Sequence, residues 1–244
     1  MVSGLTLDLA VPERDVAVRL QIAAGEVLAL LGPNGAGKST VLEVIAGLIP
    51  DGGSVCLAGR ELAGRPPSRR PVGLLSQQPL LFPHLSATAN VAFPLRCRRV
   101  GRAQSRRRAG ELLGAVGVGD LGGRKPAQLS GGQAQRVAIA RALAAEPEVL
   151  LLDEPLAALD AAAAPAIRAL LREVLRRRRH IAIVVSHDVA DVVALADRVA
   201  VLEQGRVVEQ GALADVVGGP RNDFVGRMTG TFGADIGIPP ADPA

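Results

Sequence analysis

The chain has 244 residues, 48% of them hydrophobic, which suits one large domain or two small ones with a buried core. Its formal charge is +4, yet only Lys38 and Lys125 are lysine, Tyr and Trp are absent and there are 4 Phe. The Arg-, Ala-, Gly- and Pro-rich composition is that of a GC-rich genome, and with so few platforms for stacking bases it does not point to nucleic acid as a partner.

Leu5 to Leu20 alternates in places (LTLDLAV, VAVRL) around a turn at Pro12–Asp15, which predicts an antiparallel hairpin. VLALLG (Val27–Gly32) is a continuous apolar run, typical of a buried parallel strand. A helix is expected from about Lys38 to Ile49, stopping before Pro50. DGGSVCLAG turns into a short strand joined to the first hairpin, and RRPVGLLSQQ predicts a strand ending at Ser76 or Gln77. From Pro79 to Leu129 strands are scarce, and SATANVAFPLRC and SRRRAGELLGAVGV read as helices of a candidate insert. Within it, Arg106 to Arg108 read as a solvated helix face in preference to a docking patch. Gly131 to Ala145 is a helix closed by Pro147. VLLLD (Val149–Asp153) is a second buried strand. Ala161 to Arg179 is helical, and RRRRH at its end suits the negative pole of the helix dipole. IAIVVSHD is a third buried strand, followed by a helix through Ala196 and two short strands, VAVLEQG and RVVEQG. GIPPADPA at the end reads as disordered. Strands alternating with helices predict an α/β protein built on a parallel sheet, with the hairpin and the insert as additions.

No apolar run is long enough to span a bilayer, and the start, MVSGLTLDLAVPERD, lacks a signal-peptide layout. A cytosolic protein, or one docked on something in the membrane, is expected. Cys56 and Cys97 have no metal-type spacing, which fits a reducing compartment.

Gly32-Pro33-Asn34-Gly35-Ala36-Gly37-Lys38-Ser39, followed by Thr40, fits the phosphate-loop pattern at every fixed position, between a buried strand and a helix. Glycines let the backbone curl so that N–H groups converge on phosphate oxygens. The helix starting near Lys38 aims its positive end at the same anion. Lys38 adds a point charge for the β- and γ-phosphates, and Ser39 offers a hydroxyl to Mg²⁺.

Asp153 and Glu154 end a buried strand, where open α/β sheets bind ligands. Asp153 suits the Mg²⁺ shell and Glu154 suits a base that polarises the attacking water, although both residues can also face solvent in a turn. His187 past the third buried strand reads, in isolation, more readily as a capped loop residue, and Gln77 alone carries almost no signal. Asp160 in AALD can simply cap the next helix. Ser130 and Gln133 form a capping box. Gly131 and Gly132 inside that box need a further reason, because each weakens a helix by roughly 1 kcal/mol against alanine. Close approach of backbone to an anion supplies one.

The set GPNGAGKST, Gln77, LSGGQ, VLLLDEP, AALD and His187 resembles the ATP-binding cassette (ABC) ATPases in order and spacing, over about Leu5 to Gly211. The resemblance implies a P-loop NTPase core with a parallel sheet, an N-terminal antiparallel β subdomain and an α-helical signature subdomain. Residues 1–217 would form the ATPase domain, with about 79–145 as the helical subdomain, and 218–244 a C-terminal tail. It implies ATP and Mg²⁺, the metal near Ser39, Gln77 and Asp153. It also implies a head-to-tail homodimer in which each LSGGQ loop closes on the nucleotide held by the other subunit. Ser130, Gly131, Gly132 and Gln133 then act across the interface, with Ser130 and Gly132 at the γ-phosphate. Gln77 senses Mg²⁺ and water, His187 holds the γ-phosphate, and Asp160 lies at the dimer seam. The Gln77 loop and the insert, including LLFPHLSATANVAF, would dock an integral membrane permease on the cytoplasmic face, with an extracytoplasmic solute-binding protein as indirect partner.

No aromatic residue precedes Phe82, so Arg14, Val11 or Val16 must replace the aromatic group on which the family stacks adenine. SRRPVGLLSQQPLLFPHLSATANVAF is similar to oxyanion and metal importers, in particular molybdate-import ATPases. Many of those carry a C-terminal oxyanion-binding β domain, of which the tail is at most the start. Sulfate, tungstate, iron and polyamine importers are the alternatives. A soluble ABC ATPase of translation or repair fits less well, since the chain has one cassette and a short insert. A P-loop kinase or GTPase is disfavoured by LSGGQ followed at once by VLLLDEP.

Overall fold

The structure is a computed structural model describing residues 4–50, 52–178 and 180–230. Strands β1 (Gly4–Val11) and β2 (Val16–Ala23) form the expected antiparallel hairpin, in register from Gly4 opposite Ala23 to Val11 opposite Val16. A single 3₁₀ turn, Pro12–Arg14, joins them. The apolar run becomes β3 (Val27–Leu31), and the phosphate-type loop leads from it into α1 (Lys38–Ala46). Helix α1 ends three residues before the expected Ile49, because Gly47 takes a left-handed conformation (φ 77°) and its N–H bonds back to the last turn. Strands β4 (Gly53–Leu57) and β5 (Arg60–Glu61) complete a four-stranded antiparallel sheet in the order β2-β1-β4-β5.

Strand β6 (Val72–Leu75) opens the stretch that leads to the insert. Three helices follow, α2 (Ala87–Cys97), α3 (Arg102–Ala115) and α4 (Gly131–Ala144). Ser86 caps α2, its hydroxyl accepting the Ala89 N–H. The buried Asn90 ties down the preceding loop: its amide donates to the carbonyls of Phe82, Leu85 and Ser86 and accepts the Phe82 N–H. Then come β7 (Val149–Asp153), α5 (Ala164–Arg178), β8 (Ile181–Val185), α6 (Val189–Leu195), β9 (Arg198–Glu203), β10 (Arg206–Ala212), α7 (Leu213–Gly218) and α8 (Asp223–Gly230). Helix α5 starts three residues later than expected. The Asp160 carbonyl accepts the N–H groups of Ala163 and Ala164, and this makes Ala161–Ala163 a turn. The described part of the C-terminal stretch includes α8, whose Val225 is fully buried. GIPPADPA lies outside the described residues.

The second sheet runs β10-β9-β3-β8-β7-β6, parallel throughout except for β10. Successive side chains of a strand face opposite sides, so its apolar runs need cover on both. One face, with Leu28, Leu30, Val149, Leu151, Ile181 and Ile183, packs on α1 and the inward side of the first sheet. Leu150, Leu152, Ala182 and Val184 pack on α5 and the insert helices. Ala29, Leu31, Val199 and Val201 meet α6, α7 and α8. The carboxyl ends of β3, β6, β7 and β8 carry the candidate residues, as the rule for open α/β sheets requires. No helix among the described residues is long and apolar enough to cross a membrane.

Candidate functional site

A cleft of ≈ 530 Å³ opens at those carboxyl ends, lined by Arg14, Asn34, Gly35, Gly37, Lys38, Ser39, Thr40, Gln77, Asp153, Glu154 and Val185. That volume lies within the range of small-molecule sites, roughly 300–1,000 Å³. The phosphate-type loop, Gln77 and the acidic pair, far apart in sequence, therefore share one wall.

The loop's curl depends on its glycines. At Gly32 (φ 141°) a Cβ would sit 2.0 Å from the Leu202 carbonyl oxygen on β9. At Gly37 (φ 99°), the N-cap of α1, it would sit 2.6 Å from a Val16 methyl. The N–H groups of Gly35 and Gly37 make no hydrogen bond within the described residues, and thus remain free for an anion. Pro33 and Asn34 are exposed and Ala36 is buried under the loop. Lys38 folds over the loop, its ammonium donating to the carbonyls of Gly32 (2.7 Å) and Pro33 (2.9 Å). Burial pulls its pKa down, against the pull of Glu154 and Asp153.

Ser39 Oγ donates to Asp153 Oδ2 at 3.2 Å. Burial pushes the Asp153 carboxyl up, opposed by the Ser39 bond. This half-buried carboxylate beside a hydroxyl is a pair of hard oxygen donors, the kind that Mg²⁺ takes. Glu154 holds φ +50°, uncommon for a residue with a side chain, and its N–H donates to the Val185 carbonyl across to β8. Its Oε2 lies 2.8 Å from Nδ1 of His187. That bond raises the His187 pKa above its ordinary value. The His187 side chain is 74% exposed and that of Glu154 14%, so the carboxylate is set back and the ring reaches out over it. His187 is thus tied to Glu154 and is not merely a loop cap.

Of the three residues expected near a base, Arg14 lines the cleft mouth, bonded to Glu43 Oε2 (2.7 Å) and Thr40 Oγ1 (3.4 Å). Val16 packs on Gly37, and Val11 is buried.

Ser130 to Gln133 do not line this cleft. They form the capping box of α4, with Ser130 Oγ accepting the Gln133 N–H at 3.3 Å and Gln133 Oε1 accepting the Ser130 N–H at 3.0 Å. The second glycine has a structural reason that sequence reasoning missed: a Cβ on Gly132 would lie 3.0 Å from the Ala158 carbonyl. Gly131 faces open space. Asp160 is exposed, and its Oδ1 accepts the Ala163 N–H at 2.8 Å.

Sequence reading also missed Gln135. It is fully buried, donating to the Pro155 carbonyl at 3.2 Å while its own oxygen finds no partner among the described residues, and nothing in its spacing marks it. Nor did it find Arg141, which lies over the Phe82 ring and donates to the Pro79 and Leu80 carbonyls, joining α4 to the segment after Gln77.

The sequence matches the ABC transporter family over residues 16–157. It is 53% identical over 239 residues to the molybdenum import ATP-binding protein ModC of Mycobacterium tuberculosis (strain ATCC 25618 / H37Rv), a match covering 93% of this chain and 65% of that protein. The chain thus spans just under two thirds of the length of that relative. A spermidine/putrescine import ATP-binding protein, PotA of Methylococcus capsulatus, is 46% identical over 212 residues, covering 86% of this chain and 55% of the relative. Among solved structures, the ATP-binding cassette MJ0796, a dimer bound to ADP and Pi, superposes with a TM-score of 0.78 at 31% identity, covering 86% of this chain and 98% of that one. The cleft's residues, the sheet that carries them and this match over more than half the chain agree: the protein belongs to the ABC transporter family.

Proposed function

We propose that the protein is the ATP-hydrolysing subunit of an ABC importer, working as a head-to-tail homodimer around two ATP-Mg and driving uptake of molybdate. The observation that carries this reading is a divided site. Lys38, Ser39, Gln77, Asp153 and Glu154 share one cleft, while Ser130 and Gly131 stand exposed elsewhere at a helix N-terminus. A second copy brings the two halves together, as the dimeric relative bound to ADP and Pi suggests.

In this reading the Gly35 and Gly37 N–H groups and the Lys38 ammonium, released from its two carbonyls, bind the β- and γ-phosphates. Ser39 and Asp153 would hold Mg²⁺, with Gln77 facing it, and the ion would offset phosphate charge. Glu154 accepts a proton from water as the water oxygen bonds to the γ-phosphorus. The bond from that phosphorus to the bridging oxygen breaks, and ADP leaves with the electron pair. His187 holds the γ-phosphate. Ser130, Gly131, Gly132 and Gln133 close over the partner's nucleotide, and Asp160 lies at the seam. Closure moves the docked permease helices, and charge repulsion between the products resets the dimer.

The Gln77 loop and the segment 79–145 form the permease contact at the cytoplasmic face of the membrane. Support comes from Leu80 and Phe93, apolar residues that are 66% and 41% exposed beside that loop. The solute-binding protein is reached only through the permease. The choice of molybdate rests on the 53% match, against 46% for the polyamine relative and 44–47% for sulfate/thiosulfate relatives.

Glu154→Gln is the test of the chemistry. The variant is expected to bind ATP, turn over at least about a hundredfold more slowly, and accumulate as a dimer. Normal turnover would remove Glu154 from the role of base. Molybdate uptake into proteoliposomes holding the co-purified permease tests the solute, and uptake of sulfate or spermidine instead would reassign it.

A further inference from the structure

His187 is held between two residues that are tied to helix α5. Arg168, one turn into α5, donates from Nε to Asp191 Oδ1 at 2.7 Å, and its Nη2 lies 2.6 Å from the same oxygen. The other Asp191 oxygen, Oδ2, accepts the Ser186 hydroxyl at 3.1 Å. That hydroxyl accepts the Asp188 N–H at 3.1 Å, so its one donor and one of its two acceptor lone pairs are engaged, which holds its orientation. Arg168 Nη2 also lies 3.5 Å from Asp188 Oδ2. The Asp191 side chain is 4% exposed, so this is an internal network and not a surface ion pair. None of Arg168, Ser186 and Asp191 lines the cleft.

We propose that Arg168 and Asp191 are positioning residues that clamp Ser186 and Asp188, so that the His187 ring between them stays on Glu154. The clamp also ties the ring to α5, the helix that follows Asp160 after the Ala161–Ala163 turn. A shift at a dimer seam there would therefore reach His187 through α5, without passing through the nucleotide. The inference rests on the reading of Glu154 and His187 as catalytic groups.

Removing one charge of a buried pair strands the other, so the test uses changes that keep or spare the charge. Arg168→Lys keeps the cation but loses the forked donor. Ser186→Ala removes only the hydroxyl. Each is expected to lower kcat for ATP about tenfold to a hundredfold with KM within twofold. In a His187→Ala background the same changes should cost nothing further, since they act through that ring. Equal losses in both backgrounds would mean a general structural role and would overturn the proposal.

A second readout does not depend on turnover. The chain has 3 histidines, so the hydrogen-bonded Nδ1–H of His187 can be followed by ¹⁵N NMR at fixed pH. The signal should be lost in Arg168→Lys and Ser186→Ala. If it survives in both, the clamp does not exist, whatever the enzyme does. If it is lost while His187→Ala leaves kcat intact, the clamp stands and the catalytic reading of His187 fails.

Discussion

Gly131 and Gly132 sit in the first turn of α4, where each weakens the helix by roughly 1 kcal/mol against alanine. A Cβ on Gly131 meets nothing within 4 Å. Gly131→Ala therefore gains up to about 1 kcal/mol with no opposing contact, a rise in Tm of about 2–4 °C for a chain of this size. A Cβ on Gly132 lies 3.0 Å from the Ala158 carbonyl oxygen, so that loop must give by a few tenths of an ångström. Its propensity gain is offset, and the Tm of Gly132→Ala should stay within about 2 °C of the wild type. In the divided-site account a methyl group on Gly131 stands between the helix terminus and the partner's nucleotide, and one on Gly132 displaces the Ala158 loop beside that terminus. ATPase activity should fall at least about tenfold in each, a barrier increase of about 1.4 kcal/mol. Thermal denaturation and steady-state ATPase assays on the same preparations separate the two effects. A Gly131→Ala protein with raised Tm and full activity would refute the reasoning, because nothing within one chain then explains that glycine.

Lys38→Ala should bind ATP at least about tenfold more weakly by isothermal titration, and wild-type affinity would count against the phosphate loop. The His187 pKa is raised above 6.5 chiefly by the Glu154 bond. The stabilising bridge is then fully present below about 6.5 and fades as pH rises through the raised midpoint. Glu154→Gln should lower the midpoint of the His187 ring titration by NMR, and an unmoved midpoint would show the bond is absent in solution. Arg14→Tyr should tighten ATP binding about fivefold and steepen the preference for ATP over GTP, since it restores a stacking face worth about 1 kcal/mol. Equal selectivity in the two proteins would place the base away from Arg14.

Much of the fold was legible because the strongest local signals coincide with the deepest burial. Val27–Leu31 and Ile181–Val185 are apolar runs that become strands buried at every position, and Pro12–Asp15 marks the hairpin turn. Helix ends were less legible. Ala161–Ala163 have high helix propensity, yet the Asp160 carbonyl and carboxylate bind their backbone as a turn. Gly47 stops α1 although apolar residues continue to Ile49. In the site, Lys38, Ser39 and Asp153 were readable because their pattern encodes chemistry. Gln77 has no pattern of its own, and only the β6 neighbour of β7 brings it to the cleft. Arg168, Asp191 and Gln135 act through contacts across 20 or more residues, which no spacing reveals.

The most direct measurement is ATPase rate per subunit against protein concentration, with the oligomeric state followed by light scattering in the same samples. If the nucleotide is sandwiched between two copies, the specific rate climbs with concentration alongside the dimer fraction and falls toward zero in dilute solution. A specific rate that stays constant where every molecule is a monomer would contradict the account.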